Sequence, residues 1–331
     1  MQDLPVPIIR SKLYPPPMGA DIVRRERLLS LAQTVAVTPL TLVSAPAGYG
    51  KSTLARQWLA HLECKSAWLS LDSADGDLTQ CLSYVVAAFR SVCPDCCAES
   101  AEILNSASLP GADDLAGTFC NEIEAFAGPI ALVLDDYHQV SSSDGDEFID
   151  AILRHPLRNL RLIVVTRRDP GLSIQALRAR GTLCEVRMRQ LEFREEETRA
   201  FIRANLGDAI TDDEIRILHE RTEGWPAALR LARLATSEQG ATKNIVDQLP
   251  NDSHAIRTYL MQEVLANQST ELREFLLRIA FLDRFCPDLC EAVIPERPSG
   301  LSGRNLVDHI RQANLFSIAL DASEDWFRFH H

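Results

Sequence analysis

The residue types best suited to chemistry lie in Ala45-Pro-Ala-Gly-Tyr-Gly-Lys-Ser-Thr53, directly after an apolar run at 40–44. The segment matches the phosphate-binding pattern G-x-x-x-x-G-K-[ST] except at its first position, where Ala45 replaces glycine. Small residues let several backbone N–H groups converge on one phosphate, a lysine can reach its oxygens, and a hydroxyl can hold Mg²⁺. A chance Gly-Lys-Ser in a surface loop is the alternative, which the helical spacing of Leu54 and Trp58 disfavours.

This pattern predicts a loop that binds the phosphates of ATP or ADP between a buried strand and the N-terminus of a helix. Lys51 is expected to neutralise the charge of the transferred phosphate, and Ser52 is expected to ligate Mg²⁺. The nucleotide-binding residues predicted in the loop are Ala47, Gly48, Tyr49, Gly50, Lys51, Ser52 and Thr53.

Two carboxylates, Asp135 and Asp136, follow a second apolar run at 130–134. Together with the phosphate loop, an apolar strand that ends in acidic residues is typical of the metal-binding strand of such ATPases. Asp135 is predicted to hold Mg²⁺, directly or through water, and Asp136 to orient or deprotonate the attacking water. A turn or a helix cap is the competing interpretation of the pair, and His138 is better explained by packing than by catalysis.

Two arginines follow a third apolar run, at 162–166. Arg167 is placed to sense the γ-phosphate, Arg168 competes for that role, and a surface salt bridge is the alternative for either side chain. The predicted catalytic residues are therefore Asp136, Lys51 and Arg167, and the predicted Mg²⁺ ligands are Ser52 and Asp135.

Apolar runs alternate with helical patterns through the first half of the chain. Strands are predicted at about 40–44, 66–71, 130–134, 162–166 and 183–188, and helices at about 24–32, 51–62, 78–92 and 113–127. This alternation predicts an α/β domain with a parallel sheet, whose ligand lies at the carboxyl ends of the strands. The phosphate loop, the aspartate pair and the arginine pair all fall at such ends.

The second half is mainly helical and ends in a hairpin pattern. Thr211 and Glu214 have the spacing of a capping box, Gly224-Trp225-Pro226 interrupts the helices, and 237–253 is polar. Further helices are predicted at about 254–266, 269–280, 287–294 and 303–313, before two short strands joined by a polar turn. The predicted domains are an extended, helix-free lead-in (1–20), a P-loop α/β domain (21–190), a helical domain (191–240) and a winged-helix domain (241–331).

Composition limits the partners of the chain. Its 331 residues carry a formal net charge of −12, from 46 acidic and 34 basic side chains, so strong DNA binding by this chain alone is not expected. No apolar run approaches the roughly 20 residues of a membrane span, and the N-terminus lacks the pattern of a signal peptide. These features predict a cytoplasmic protein without a membrane partner.

The nine cysteines are scattered and odd in number, which indicates reduced thiols. Cys93-Pro-Asp-Cys96-Cys97 is the one suggestive cluster. A zinc site would need a second pair, and Cys286 with Cys290 has helical spacing, so a cysteine-rich loop is the simpler interpretation.

Several of these segments together resemble one group of proteins. They are similar to the MalT-type ATP-dependent transcriptional activators, which are large LuxR-type bacterial regulators in the STAND class of signalling ATPases. The resemblance runs from about Ile8 to the last residue. It is carried by Ala45-Pro-Ala-Gly-Tyr-Gly-Lys-Ser-Thr53, Trp68-Leu-Ser-Leu-Asp72, Leu132-Val-Leu-Asp-Asp-Tyr-His138, Glu223-Gly-Trp-Pro226 and Phe327-Arg-Phe-His-His331.

The resemblance implies further nucleotide contacts outside the loop. Val23 and Arg24 belong to the segment that flanks the adenine, although Arg24 stands where glycine is usual. Pro226 corresponds to a proline that packs on the adenine. His330, with His331 as its competitor, corresponds to a winged-helix histidine that reaches the β-phosphate of ADP.

The resemblance also implies partners. In this family the ATPase region is followed by superhelical repeats that bind an inducer and by a helix-turn-helix that binds DNA, and neither is found in this sequence. The chain is therefore expected to be an N-terminal region that reaches DNA only through a C-terminal domain absent here. Self-association is expected in the ATP state of the full-length protein.

The predicted function is an ATP/ADP-binding switch with slow hydrolysis, in which nucleotide controls self-association and thereby transcription. The alternative is a catalytic P-loop ATPase or kinase with rapid turnover. A scaffold with a degenerate loop is a third interpretation, which the presence of Lys51, Ser52 and Asp135 disfavours.

Overall fold

The computed structural model describes residues 4–19, 21–106, 108–140, 143–207, 210–238, 258–265, 268–293, 302–312, 315, 317–320 and 325–329. The described residues form two compact units. The first lies within Met1–Gly19, Arg25–Ala45 and Lys51–Gln190, and the second lies within Ala20–Arg24, Pro46–Gly50 and Leu191–His331.

A five-stranded parallel sheet forms the centre of the first unit. Its strands are β1 (Leu40–Ser44), β2 (Lys65–Ser70), β3 (Ile130–Asp135), β4 (Leu160–Thr166) and β5 (Leu183–Arg187), in the spatial order β2-β3-β4-β1-β5. Strands β1 and β3 are buried at every residue, as expected of apolar strands that are covered on both faces. The predicted α/β fold with a parallel sheet is confirmed, and all five predicted strands are present.

Strand register brings the polar ends of three strands to one edge of this sheet. Ser44 at the end of β1 pairs with Thr166 at the end of β4, and Leu134 near the end of β3 pairs with Val164 of β4. Residues that follow these strands are therefore close in space although they are far apart in the sequence.

Nine helices accompany the sheet among the described residues of the first unit. They are α1 (Glu26–Leu29), α2 (Ala32–Val35), α3 (Lys51–Leu59), α4 (Leu78–Val92), α5 (Ala98–Leu104), α6 (Ala112–Glu124), α7 (Ser143–Arg154), α8 (Ile174–Arg180) and α9 (Met188–Leu191). The largest apolar cluster joins the sheet to α4, α6 and α7 through buried side chains such as Phe89, Phe119 and Phe148.

The first unit differs from the sequence prediction in its helices. A turn at residues 30–31 divides the predicted helix at 24–32 into α1 and α2. Helices α5, α7 and α8 were not predicted. In α7 the first five residues are all small or acidic, so the buried positions Phe148, Ile149 and Ile152 show a helical period only in its second half.

The lead-in contains a short helical turn, so the prediction that it is free of helix was wrong. Residues Arg10–Leu13 form one 3₁₀ turn. Its Lys12 Nζ lies 2.8 Å from Asp72 Oδ2 and 2.7 Å from Asp75 Oδ2, and Asp75 is fully buried. Backbone N–H of Ile9 also donates a hydrogen bond to the Tyr84 hydroxyl over 3.2 Å. These long-range contacts stabilise a turn that the prolines alone disfavour.

The second unit contains two groups of helices and a hairpin. Its described elements are α10 (Glu195–Leu206), α11 (Asp212–Thr222), α12 (Pro226–Glu238), a π-helical turn (Met261–Leu265), α13 (Thr270–Ile279), α14 (Pro287–Val293), α15 (Gly303–Gln312), β6 (Ser317–Ala319) and β7 (Phe327–Phe329). Thr211 and Glu214 form the predicted capping box of α11. Helix α10 was not predicted.

The last part of the second unit has the predicted order of helices followed by an antiparallel hairpin. Strand β6 pairs with β7, and Phe285 pairs with Phe327 through their backbones. A separate apolar cluster formed by α13, α14, α15 and the hairpin includes Phe275, Phe285 and Phe327. Residues 239–253 of the predicted polar stretch lie outside the described residues. So do residues 254–257 and 266 of the predicted helix at 254–266.

Within the part of the chain that the structure describes, no helix is long and apolar enough to cross a membrane.

Candidate nucleotide-binding site

Lys51 is the first residue of α3 and follows the loop that leaves β1. Its side chain is only 7% exposed. Burial lowers the pKa of Lys51 to about 8, an effect that the carboxylate of Asp136 opposes and the guanidinium of Arg167 increases. A nearby anion would stabilise such a buried ammonium, so the environment of Lys51 fits a polyphosphate.

Ser52 and Asp135 place two side-chain oxygen atoms next to each other. The Ser52 hydroxyl donates a hydrogen bond to Oδ1 of Asp135 over 2.8 Å, and the backbone N–H of Asp136 donates to the same oxygen over 3.2 Å. Asp135 is buried, and burial together with the charge of Asp136 raises the pKa of Asp135 to about 6. A cation would favour the ionised carboxylate.

This pair of donors fits Mg²⁺, which prefers oxygen ligands and is usually held by one or two protein groups together with substrate phosphates. The described residues contain no group of three or more His, Cys, Asp or Glu side chains that could hold a metal ion by themselves.

Asp136 has a different environment from Asp135. Its backbone is left-handed, with φ of 55°, and its side chain is 43% exposed. Oδ1 of Asp136 lies 4.0 Å from Nε of Arg167 and 3.8 Å from Nδ1 of His138. The exposed carboxylate beside a cation could orient a water molecule, which is the role predicted for Asp136.

The two arginines after β4 differ in their contacts. Arg167 lies beside Asp136, and its charge acts on Lys51. A guanidinium N–H of Arg168 instead donates a hydrogen bond to the carbonyl oxygen of His138 over 3.2 Å. Arg167 is therefore the arginine that lies nearer the predicted catalytic carboxylate, which favours it as the sensor.

His138 has little basicity in this site. Burial and the positive charges of Arg167 and Lys51 lower the pKa of His138 to about 3. Because the strength of a base falls with its pKa, this environment argues against general-base catalysis by His138.

Residues Pro46–Gly50, in the middle of the phosphate loop, pack within the second unit. Gly48 and Gly50 have left-handed backbones, with φ of 80° and 77°. A Cβ atom on Gly48 would lie 2.5 Å from Cβ of Ala227 and 2.8 Å from Nε1 of Trp225. The loop therefore requires glycine at position 48 both for its backbone conformation and for close packing.

Two hydrogen bonds hold this part of the loop to the start of α12. The indole Nε1–H of Trp225 donates to the carbonyl oxygen of Ala47, and the backbone N–H of Ala227 donates to the carbonyl oxygen of Gly48, each over 3.1 Å. The rings of Tyr49 and Trp225 lie 6.4 Å apart between centroids, with both side chains buried. Tyr259 also contacts Trp225, with 5.8 Å between ring centroids.

The segment before Trp225 has an unusual backbone. Glu223 and Gly224 are both left-handed, with φ of 48° and 69°, and a Cβ on Gly224 would lie 2.3 Å from the carbonyl oxygen of Phe193. The Glu223 carboxylate accepts an ion-pair contact of 2.7 Å from a guanidinium nitrogen of Arg328 in β7. The same short segment thus contacts the hairpin through Glu223 and the phosphate loop through Trp225.

The predicted adenine-flanking residues lie beside the helices of the second unit. Val23 packs against the apolar cluster of α10, α11 and α12, and Arg24 is exposed. Asp21 Oδ2 lies 3.1 Å from Nε of Arg230 and 3.5 Å from a guanidinium nitrogen of Arg233, both in α12.

Three predicted nucleotide contacts remain: Thr53, Pro226 and His330. Thr53 is on α3, and Pro226 is the first residue of α12, where proline is well tolerated. The contacts to the loop come from the neighbours of Pro226 on both sides. The prediction for His330, and for its competitor His331, falls outside the described residues.

Comparisons with known proteins agree with this arrangement. Residues 23–165 match the AAA ATPase domain family, and residues 261–331 match the MalT winged helix domain family. A solved Walker-type ATPase of Pyrococcus abyssi has a similar fold, with a TM-score of 0.64 and 16% sequence identity over 96% of each chain. The fold and the loop therefore define a P-loop ATPase region of the AAA type, followed by helices and a winged helix.

Sequence matches that cover nearly all of this chain identify a narrower group within this class. The chain is 32% identical over 328 residues to the HTH-type transcriptional regulator MalT of Yersinia pestis, which covers 98% of this chain and 35% of that protein. It is 30% identical to the MalT regulator of Vibrio parahaemolyticus, over 98% of this chain and 36% of that protein. The chain belongs to the MalT-type family, as its resemblance predicted, and spans about a third of the length of these curated relatives.

Sequence reasoning missed two groups of contacts at this site. It interpreted Trp225 as part of a helix-breaking segment and of a family motif whose proline packs on the adenine, whereas the indole itself donates a hydrogen bond to the phosphate loop. It also did not anticipate the ion pairs of Asp21 with α12 or of Glu223 with Arg328. The only signal for Trp225 was a large aromatic beside glycine and proline, which does not by itself indicate what the ring contacts.

Proposed function

We propose that this region is an ATP/ADP-binding switch module that hydrolyses ATP slowly and forms part of a MalT-like transcriptional regulator. Within it we assign the nucleotide-binding domain to 21–190, the helical domain to 191–240 and the winged-helix domain to 241–331. ADP would favour a closed monomer, and exchange for ATP would release it.

One observation carries the proposal: the carbonyls of Ala47 and Gly48 are held by Trp225 and Ala227. The phosphates of a nucleotide would accept hydrogen bonds from N–H groups of the same loop whose carbonyl oxygens accept hydrogen bonds from Trp225 and Ala227. Through the adjacent Glu223, the same segment contacts Arg328 of the hairpin. A ligand shifts a conformational equilibrium only if it binds the two states differently, and a loop held by α12 in one state alone would supply such a difference.

The roles of the individual residues follow from their environments. The loop residues from Ala47 to Gly50 and Thr53 would bind the phosphates, and Lys51 would neutralise their charge. Ser52 and Asp135 would hold Mg²⁺, which would neutralise further phosphate charge when it is bound. Asp136 would orient the attacking water, and Arg167 would sense the γ-phosphate.

The contacts around the adenine are also part of the proposal. Val23, Arg24 and Pro226 would flank the base, and His330 would approach the β-phosphate of ADP. The position of Val23 beside the helices that include Pro226 is compatible with this role.

In the complete regulator, we propose that the ATP state self-associates and that DNA is bound by a region outside this chain. The relatives are named as HTH-type transcriptional regulators. The acidic net charge of −12 disfavours DNA binding by this region itself. We place this activity in the cytoplasm, without a membrane partner.

The first test is to identify the nucleotide and measure its turnover. Mass spectrometry of the small molecules released on denaturation should show ADP or ATP if nucleotide is retained, and calorimetry should show binding of both in the nucleotide-free protein. Lys51→Ala should abolish this binding, whereas Lys65→Ala, which changes an exposed lysine at the start of β2, should not. Unchanged affinity in Lys51→Ala would refute the site.

Turnover separates the switch from its rival. A dedicated kinase or ATPase is expected to turn over at roughly 1–100 s⁻¹, and a switch far more slowly. A rate within that range would favour the catalytic alternative with rapid turnover.

A further inference from the structure

Three cysteine thiols meet at the turn between α4 and α5. Cys93 follows the last residue of α4, and the backbone N–H of Cys96 donates a hydrogen bond to the Cys93 carbonyl oxygen over 3.2 Å. The intervening Pro94-Asp95 occupies the two central positions of this turn, where proline is favoured first. The thiol of Cys96 is within hydrogen-bonding reach of the thiols of both Cys93 and Cys97.

The three cysteines differ in exposure. Cys93 and Cys96 are partly exposed, whereas Cys97 is buried. Cys97 lies directly before α5 and has a left-handed backbone, with φ of 55° and ψ of 40°. Cys93 and Cys96 are therefore more accessible to a small molecule than Cys97.

Charged groups on two elements face the turn. The guanidinium of Arg90 in α4 donates hydrogen bonds to the carbonyl oxygens of Cys96 over 3.1 Å and of Cys97 over 3.2 Å. Glu122 of α6 lies on the other side, where its carboxylate accepts hydrogen bonds from the backbone N–H groups of Glu99 and Ser100. The carboxylate of Glu122 is thus hydrogen-bonded to the start of α5, whereas the guanidinium of Arg90 is hydrogen-bonded to the turn itself.

The hydrogen bond from Cys97, followed by that from Cys93 and the charge of Arg90, lowers the pKa of the Cys96 thiol below its ordinary value. The same interaction with Cys96, together with burial, raises the pKa of Cys97. Ionisation is therefore more favourable at Cys96 than at Cys97. A thiolate is the nucleophilic form of cysteine.

We propose that Cys93 and Cys96 form a reactive dithiol site that small-molecule disulfides oxidise to an intramolecular disulfide. Residues i and i+3 of such a turn have Cα atoms less than about 7 Å apart, which matches the roughly 4.4–6.8 Å of ordinary disulfides. Adjacent residues are only about 3.8 Å apart across a trans peptide, so Cys96 and Cys97 are too close for an ordinary bridge.

The reaction needs only a disulfide of the glutathione type as its oxidant. The Cys96 thiolate attacks one sulfur of this disulfide, forms a mixed disulfide and releases the first thiolate. The Cys93 thiol loses its proton to solvent, and its sulfur attacks Cys96 and displaces the second thiolate. Two protein thiols are oxidised, one small-molecule disulfide is reduced to two thiols, and the protons lost by the cysteines protonate the leaving thiolates.

The test is to incubate the folded, fully reduced chain with oxidised glutathione and quench it with acid. We expect the intact mass to fall by two hydrogen atoms. Cleavage before Asp95 then separates Cys93 from Cys96 in the reduced protein but leaves the two fragments linked in the oxidised one, until a reductant is added. Failure to recover linked fragments from the folded protein would overturn the proposal.

Single variants test the order of attack. Cys93→Ser should stop at a stable glutathione adduct on Cys96, whereas Cys96→Ser should prevent the bridge and slow adduct formation at position 93. Cys64→Ser, which changes another partly exposed cysteine, should leave the bridge intact. Equal adduct rates at Cys96 and Cys64 in the folded protein would contradict a selectively reactive dithiol.

Cys97 is a positioning residue, and its test is the pH profile of the reaction at Cys96. Cys97→Ala should move the half-maximal rate to higher pH and slow the reaction at neutral pH several-fold, while Cys97→Ser, which keeps a donor, should restore much of the rate. An identical profile in Cys97→Ala would refute the positioning role. These readouts need no nucleotide, so they can fail or succeed independently of the proposed switch.

Discussion

The indole Nε1–H of Trp225 donates a hydrogen bond to the carbonyl oxygen of Ala47 over 3.1 Å, across 178 residues of sequence. This contact connects the start of α12 to the loop that is predicted to bind phosphate. It gives the Gly-Trp-Pro segment a physical role beyond ending a helix, because movement of α12 must disturb the loop or break the bond.

Trp225→Phe tests this relationship, since phenylalanine keeps an aromatic ring beside Tyr49 but lacks the donor. One neutral hydrogen bond contributes about 1 kcal/mol, so the affinity for ADP is expected to fall roughly fivefold. The measurement is isothermal calorimetry. Trp68→Phe is the matched control, because its indole donates one hydrogen bond to Ser70 within β2 and should change stability without changing affinity.

Gly48→Ala should disrupt the loop more than its backbone conformation alone requires. The left-handed conformation costs alanine about 1 kcal/mol, and the contacts with Ala227 and Trp225 should add roughly 1–3 kcal/mol of overpacking. Gly181→Ala is the control, because φ there is 68° and a new Cβ would meet nothing within 4 Å. Gly48→Ala should lower the free energy of unfolding in urea and the affinity for ADP more than Gly181→Ala does. Equal losses in the two variants would contradict the packing argument.

The ion pair of Arg328 with Glu223 predicts a link between the hairpin and nucleotide release. Arg328→Gln removes a charge-assisted contact between partly buried groups, worth about 1.5–3 kcal/mol, and is expected to speed the release of a fluorescent ADP analogue in stopped-flow measurements. The double variant with Glu223→Gln should add little to this effect. Arg216→Gln, which breaks only exposed pairs on α11, should not change the release rate.

Asp136→Asn should keep nucleotide binding and slow hydrolysis. Asparagine tolerates the left-handed backbone of this position but cannot accept a proton, so turnover should fall by roughly 10²–10⁴-fold. Single-turnover hydrolysis and calorimetry on the same sample test both halves. Asp113→Asn, at an exposed ion pair with Arg154, serves as the control, and a normal rate in Asp136→Asn would exclude the catalytic role.

The elements that carry the candidate site could be predicted because their signals are local. The strands that become β1, β3 and β4 are short apolar runs, and each ends in polar residues suited to phosphate or Mg²⁺. The rule that parallel strands share one carboxyl edge then places Ser52, Asp135 and Arg167 together. The hydrogen bond of 2.8 Å between Ser52 and Asp135 agrees with that expectation.

Elements that depend on distant partners could not be predicted in this way. The 3₁₀ turn at Arg10–Leu13 is held by the ion pairs of Lys12 with two aspartates at least sixty residues away. Helix α7 has its buried apolar residues in its second half. The stretch that shows a helical period is therefore too short to be recognised from the sequence alone.

The sequence by itself determined which residue types are available for the proposed chemistry: a phosphate loop, an acidic strand end and an arginine, each encoded within a few adjacent residues. Only the tertiary structure decided which Gly-Trp-Pro residue contacts that loop, and which arginine lies beside Asp136. The physical reason is that a motif specifies the atoms that it carries, whereas the partner of an indole N–H or a guanidinium depends on how distant segments pack. The same packing brings the Cys93 and Cys97 thiols against Cys96 and sets which of them are exposed.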